Sequence, residues 1–200
     1  MVYIGARHRL LLARSQTGSS LPLTSGWSAT DKAGEIRVTS DGRTASSLLS
    51  RTGDAGLRGV RGTLGKSAGA RSQFETRIGA MGGKVQIGIA TSAATLGGSN
   101  GGNTASIIVS SDGAIGYNSN YATSIGRALV AGDVISYDFD YTGASPTLAM
   151  ALNGVWTAPR TIAAGTWFPI ALFNGAGDNI AINTGDSPFY FGLPAVDNWG

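Results

Sequence analysis

The chain has no cysteine. That excludes a disulfide framework and any thiolate metal site, so the fold must stand on its packed core. There is one histidine, His8. A Ser/His/Asp triad would have to draw its base from that position near the start, and no Cys/His metal set can be assembled. Glutamate is nearly missing too, with Glu35 and Glu75 in separate predicted strands. Asp138 and Asp140 lie two apart on one strand, but glycoside hydrolysis needs two carboxylates at a set separation across the scissile bond, and none is placed opposite them. Charge is sparse, at 14% of residues against about 25% in average chains. The net charge of +3 is spread through predicted hairpins, which excludes a nucleic-acid face. No apolar run approaches the ~20 residues of a membrane span. The short run from Leu10 to Ala13 is flanked by Arg9 and Arg14 and is too short for a secretory signal. The expectation is a protein made in a cytoplasm, without membrane insertion. No helical period, heptad or fixed repeat is evident.

Glycine is abundant, with 31 residues among 200, about twice the usual share of roughly 7%. Combined with 42% hydrophobic residues, this describes many short strands joined by tight turns. Residues 1–25 differ from the remainder. Val2, Ile4 and Leu10 to Leu12 are apolar, Arg7, His8, Arg9 and Arg14 are basic, and a Ser/Thr/Gly-rich linker follows. We read residues 1–25 as a basic arm and linker, with an extra edge strand as the alternative, and residues 26–200 as one domain.

From Trp27 the strand signal is steady. Ile36 and Val38 alternate before an Asp41-Gly42 turn, expected as type I′. Phe74, Thr76 and Ile78 share a face, as do Val85, Ile87 and Ile89, with Gly82-Gly83 between the two strands. Ile135, Tyr137, Phe139 and Tyr141 line one face of a strand and Ser136, Asp138 and Asp140 the other, which is expected to meet solvent. Ile170, Leu172, Ile180 and Ile182 form an expected last hairpin. Residues 91–103 read as a loop. Asp112, Asp133, Asp178 and Asp186 each sit beside Gly or Ser, where aspartate forms turns, and they lack the calcium-loop pattern.

The aromatic residues carry the functional signal. Tyr117, Tyr121, Trp156 and Trp167 fall at or near turns, accompanied by Asn118, Asn120, Asn153 and Asn174. Such rings cover an apolar sugar face or anchor a protein interface, and amides fix orientation. Trp156, Asn153, Tyr121, Asn118 and Asn120 are the candidate binding set.

Several segments occur together in a telling order. Residues 27–46 read WSATDKAGEIRVTSDGRTAS, residues 65–78 GKSAGARSQFETRI, residues 85–90 VQIGIA and residues 112–117 DGAIGY. A Gly132-Asp133 turn, the Asn153-Gly154 turn, Trp167-Phe168-Pro169 leading into IALFNG, and a closing GDSPF at 185–189 follow. This series resembles the SPRY domain, in the flavour found in bacteriophage structural proteins. The resemblance implies an all-β, antiparallel two-sheet sandwich of concanavalin/SPRY jelly-roll type, with Trp167 and Tyr117 as core plugs and Asp140 in a structural role.

It further implies a non-enzymatic binding or structural component of a virion: a tail-fibre or tail-appendage subunit, or a capsid decoration protein. Its partners would be other virion proteins and, in the alternative reading as a lectin-like module, host surface glycans. No cofactor or metal is expected, and homo-oligomeric assembly is. The arm residues Arg7, His8, Arg9 and Arg14 would dock on the virion. Deleting residues 1–24 is expected to leave a folded sandwich that no longer assembles onto its partner. Far-UV circular dichroism and a thermal melt check this; loss of the fold would make the arm an integral strand.

Overall fold

A computed structural model of the chain describes residues 25–69, 71–98, 105–117, 120–193 and 196–199, with the backbone alone at Asn120 and Ala122. Two sheets face each other. The seven-stranded sheet runs, edge to edge, β1 (Trp27–Lys32), β4 (Arg58–Gly62), β14 (Phe168–Phe173), β6 (Val85–Ala90), β7 (Ser106–Ser110), β8 (Ala114–Tyr117) and β9 (Asn120–Ser124). The nine-stranded sheet runs β12 (Val155–Trp156), β11 (Thr147–Leu152), β10 (Val134–Asp140), β5 (Ser72–Ala80), β15 (Asn179–Asn183), β3 (Thr44–Ser47) and β2 (Ile36–Val38). In the same sheet, β13 (Arg160–Thr161) also pairs with β11, and β16 (Asp197–Asn198) pairs with β5. The architecture is the expected all-β sandwich.

The inward faces follow the alternation in the sequence. Ile135, Tyr137 and Phe139 of β10 join Phe74 and Ile78 of β5 against Val60, Ile87, Ile89, Ile107 and Val109 of the opposite sheet, all fully buried. Phe74 and Tyr137 stack with ring centroids 4.4 Å apart. Burial at this scale contributes roughly 1.5–3 kcal/mol per large side chain.

Three expectations need correction. The strands bearing Ile170/Leu172 and Ile180/Ile182 are no hairpin: β14 lies in the seven-stranded sheet and β15 in the other. Ile170 and Leu172 face outward into a second cluster with Leu57, Ala90, Ala94 and Ile108, covered by the loop after β6. β5 and β6 are likewise split between sheets, and the two crossings lie side by side. The buried Asp178 carboxylate accepts the backbone N–H groups of Gly82, Gly83 and Gly175. A side chain at Gly83 would strike the Gly175 backbone at 2.6 Å.

The Asp41-Gly42 turn is not type I′, since only Gly42 has positive φ; Asp41 instead accepts Thr39 Oγ1 and the Arg43 N–H. The Asn153-Gly154 turn does have both residues at positive φ, 48° and 83°, as type I′ requires.

The third correction concerns the outer face of β10. Ser136 and Asp138 do not meet solvent. Both are buried, together with Gln73 and Glu75 of β5, because residues 187–193 cross that face as a strap. Glu75 accepts the N–H groups of Tyr190 and Phe191 at 2.8 Å and the Ser136 hydroxyl at 3.0 Å. Gln73 exchanges bonds with Leu193 N–H and the Phe191 carbonyl. Asp138 holds Arg71 through two bonds of 2.6 and 2.8 Å.

The chain then re-enters the sheet. β16 lies parallel to β5, opposite Ser72 and Gln73, just past the point where β15 stops pairing at Glu75. Trp199 follows into the core, fully buried, edge-on to Phe74 and Phe139, with its indole N–H donating to the Leu64 carbonyl. Trp199→Ala is expected to cost about 3–5 kcal/mol, the range for large-to-small core changes. A urea melt measures it; a loss under 1 kcal/mol would mean that this end of the chain is not part of the core.

Candidate partner-binding groove

A sandwich has four free edges, and two of them flank a groove. The edge strand β9 of one sheet faces the short strands β12 and β13 of the other, across a cavity of about 510 Å³. Its floor is the core itself: Ile115, Ile125, Leu148 and Met150, all buried. Trp156, half-buried, and Val155, 73% exposed, form one wall. Pro159 and Arg160 continue it.

The floor is reachable because the facing edge is broken. β12 and β13 are two residues each, and the Thr157 to Pro159 stretch between them includes a proline, which cannot donate to a ladder. Arg160 crosses the gap. Its guanidinium donates to Thr123 Oγ1 at 3.0 Å and lies 5.9 Å from the centre of the Tyr117 ring. The Tyr117 hydroxyl donates to the Thr161 carbonyl at 3.3 Å. These contacts clasp the two sheets together beside the groove.

The sequence-derived binding residues do not form one cluster. Trp156 lines the groove. Tyr121 is 42% exposed on β9 but does not line it. Asn153 is exposed and does not line the groove: its Oδ1 accepts the Val134 N–H at 2.9 Å and its Nδ2 donates to Asp133 at 2.8 Å. Its amide is therefore committed to the hairpin. Asn120 begins β9, and Asn118 lies outside the described residues, as do Arg7, His8, Arg9 and Arg14. Trp167 is a core plug, with its indole N–H on the Ala163 carbonyl, and Tyr117 packs half-buried on the core. Asn174 binds Lys84 N–H and the Gly53 carbonyl.

Sequence reasoning passed over Arg160, Val155 and Pro159. The signal was present: an Ala-Pro-Arg step straight after a tight hairpin marks a broken edge strand.

Most of the acids are occupied within the fold; Asp197 is exposed on β16. Asp133, 4% exposed, binds both terminal nitrogens of Arg127, the Val130 N–H and Asn153. Asp140 caps Thr142, Asp112 caps Ala114 and Asp186 pairs with Arg43. Asp31, Glu35 and Asp54 pair with Arg61, Arg51 and Lys84. Among the described residues, no three acids or histidines converge as a metal site would require.

No protein-family model matches the sequence, and neither does any curated protein. Solved structures do match. The SPRY domain of human HERC1 superposes with a TM-score of 0.62 at 14% identity, over 78% of this chain and 96% of that one. A further human SPRY domain gives 0.54 at 18% identity, over 74% and 94%. The TRIM65 PSpry domain gives 0.57 at 13%, over 80% and 91%. The fold is that of an SPRY domain. The groove is a lateral feature of this sandwich, built on edge strands rather than on a sheet face.

Burial raises the pKa of Asp133. Arg127, the Val130 N–H and Asn153 outweigh that and hold it below the ordinary 3.8. A depressed carboxylate contributes stability that is complete above its unfolded value and lost as pH falls through the folded one. Asp133→Asn is expected to lower stability at pH 7, through the charge-assisted bonds lost at Val130 N–H and Asn153, with Arg127, 49% exposed, left to solvent. The deficit should shrink on acidification below about pH 5, as wild type loses the same contribution. Urea melts of both proteins from pH 7 to pH 3 check this; a deficit that does not change with pH would remove the charge from the account.

Proposed function

We propose that this chain is a non-enzymatic binding module that receives a protein partner in the groove between β9 and β12. The observation that carries this reading is the exposed access to the core. Ile115, Ile125, Leu148 and Met150 sit beneath an opening of about 510 Å³, rimmed by Trp156 and by Val155 at 73% exposure. A large apolar side chain entering there removes apolar area from both surfaces, at about 25 cal/mol per Å². The structural employment of the acids supports a non-catalytic role, and the resemblance to SPRY domains supports binding as the task.

The finer reading is that the module belongs to a bacteriophage virion, as a tail-fibre or tail-appendage subunit or a capsid decoration protein. The likeness of residues 27–46 to phage-encoded SPRY domains supports it. The basic arm would dock on the particle and the sandwich would face outward. Mass spectrometry of purified particles tests this placement, and its absence from them ends it. The lectin-like alternative draws less support, since the groove floor is aliphatic and offers sugar hydroxyls few matched donors and acceptors.

Trp156→Ala is expected to weaken partner binding by roughly 1–4 kcal/mol, as truncation of an interface anchor does, with the melting temperature nearly unchanged. Pull-down with particle proteins, run beside a melt, measures both. Unaltered binding would move the interface away from the groove.

A further inference from the structure

Among the described residues, Arg160 stands apart from the other buried and half-buried arginines. Arg43, Arg58, Arg61 and Arg71 each have a carboxylate within 4 Å: Asp186, Glu35, Asp31 and Asp138. Arg160 is half-buried at the groove wall with no such partner among the described residues. It makes one side-chain hydrogen bond, to Thr123, and one ring contact, to Tyr117. A guanidinium has five N–H donors. Among the described residues, Arg160 is also the one ionic side chain lining the groove. A site with a positive group beside an aliphatic floor complements a negative group next to an apolar one.

The edges set the shape of the occupant. β9 pairs with β8 on one side and ends the seven-stranded sheet on the other. An extended peptide laid along that side adds a strand, with main-chain bonds for affinity and alternate side chains for specificity. The opposing edge, interrupted at Pro159, is a poor template. We infer that the groove takes an extended peptide segment of a protein partner in which a large apolar side chain lies close to a carboxylate. The apolar group seats over Leu148 and Met150, and the carboxylate pairs with Arg160. This rests on the groove being the partner site.

The test uses the full chain on an array of immobilised random octapeptides, followed by affinity measurements on enriched sequences by fluorescence anisotropy. Enriched octapeptides are expected to pair a Leu, Phe or Trp with a nearby Asp or Glu. Arg160→Gln should lower affinity tenfold or more, and replacing the peptide's acid by its amide should lower it equally. Combining the two should cost little beyond either alone, as coupled partners do. Val155→Glu should weaken binding several-fold more than Val155→Lys, since both lose the apolar rim and only Glu opposes the peptide's acid; Val155 is exposed, so both variants fold.

Enrichment of apolar octapeptides without acids, or full binding by Arg160→Gln, overturns the carboxylate assignment. The groove reading itself survives that outcome if Trp156→Ala still loses the octapeptide. Octapeptides that bind Trp156→Ala, Val155→Glu and wild type alike overturn both. Binding to a glycan array with no octapeptide enrichment overturns the peptide class.

Discussion

Glu75 is 1% exposed, and its carboxylate gathers three donors: the Tyr190 and Phe191 N–H groups and the Ser136 hydroxyl. Burying a carboxylate costs several kcal/mol unless its lone pairs are satisfied. Here the satisfaction comes from a segment that is far away in sequence. The strap must therefore lie across β5 for the sheet to tolerate its own polar outer face. Once it lies there, the remaining steps are geometric. Gln73 receives Leu193, the chain turns back, β16 takes the place beside β5 that β15 leaves empty, and Trp199 reaches Phe74 and Phe139. A polar interaction on the outside of a sheet thus delivers an aromatic plug to the inside.

The same dependence explains what the sequence shows and what it hides. Alternation along β10 and β5 reveals the inner face correctly, because side-chain period and strand pleat coincide. It says nothing about what covers the outer face. Asp138 and Ser136 look like solvent residues for that reason, and the strap is a tertiary fact with no local signature. The false hairpin at Ile170 to Ile182 has a similar origin. Two apolar strands joined by a Gly-rich turn look alike whether the turn stays in one sheet or crosses between two. Strand pairing distinguishes the crossing, and one buried aspartate, Asp178, fastens it by accepting the N–H groups of Gly82, Gly83 and Gly175. Trp156 was legible as a turn-adjacent aromatic at the groove. Asn153 was legible as a turn residue, but its amide serves Val134 and Asp133. Arg160 was legible as the end of the Ala158-Pro159-Arg160 break, but not as an arginine without a carboxylate among the described residues, which is a tertiary fact.

The two lateral sides of the sandwich are finished differently. On one side, β1 and β2 approach each other at the free edges of their sheets. There Trp27, 2% exposed, spans the gap, with its indole N–H on the Ile180 carbonyl of β15 and its backbone N–H on the Gly42 carbonyl. A large aromatic with a satisfied polar tip seals that side. On the other side no tryptophan enters. Trp156 stays half-buried on the rim, and the sheets are bridged by Arg160, Thr123, Tyr117 and Thr161 through two hydrogen bonds and a ring contact. Such bonds contribute about 0.5–1.5 kcal/mol each, far less than a buried indole, so the closure holds the sheets without filling the space between them. Folding alone gains nothing from an unfilled apolar slot, since it forfeits the contacts that a plug would supply. The side that forgoes this stabilisation is also the side whose arginine has no acid partner among the described residues. Both features have the same physical resolution in an occupant that brings an apolar group and a negative charge together.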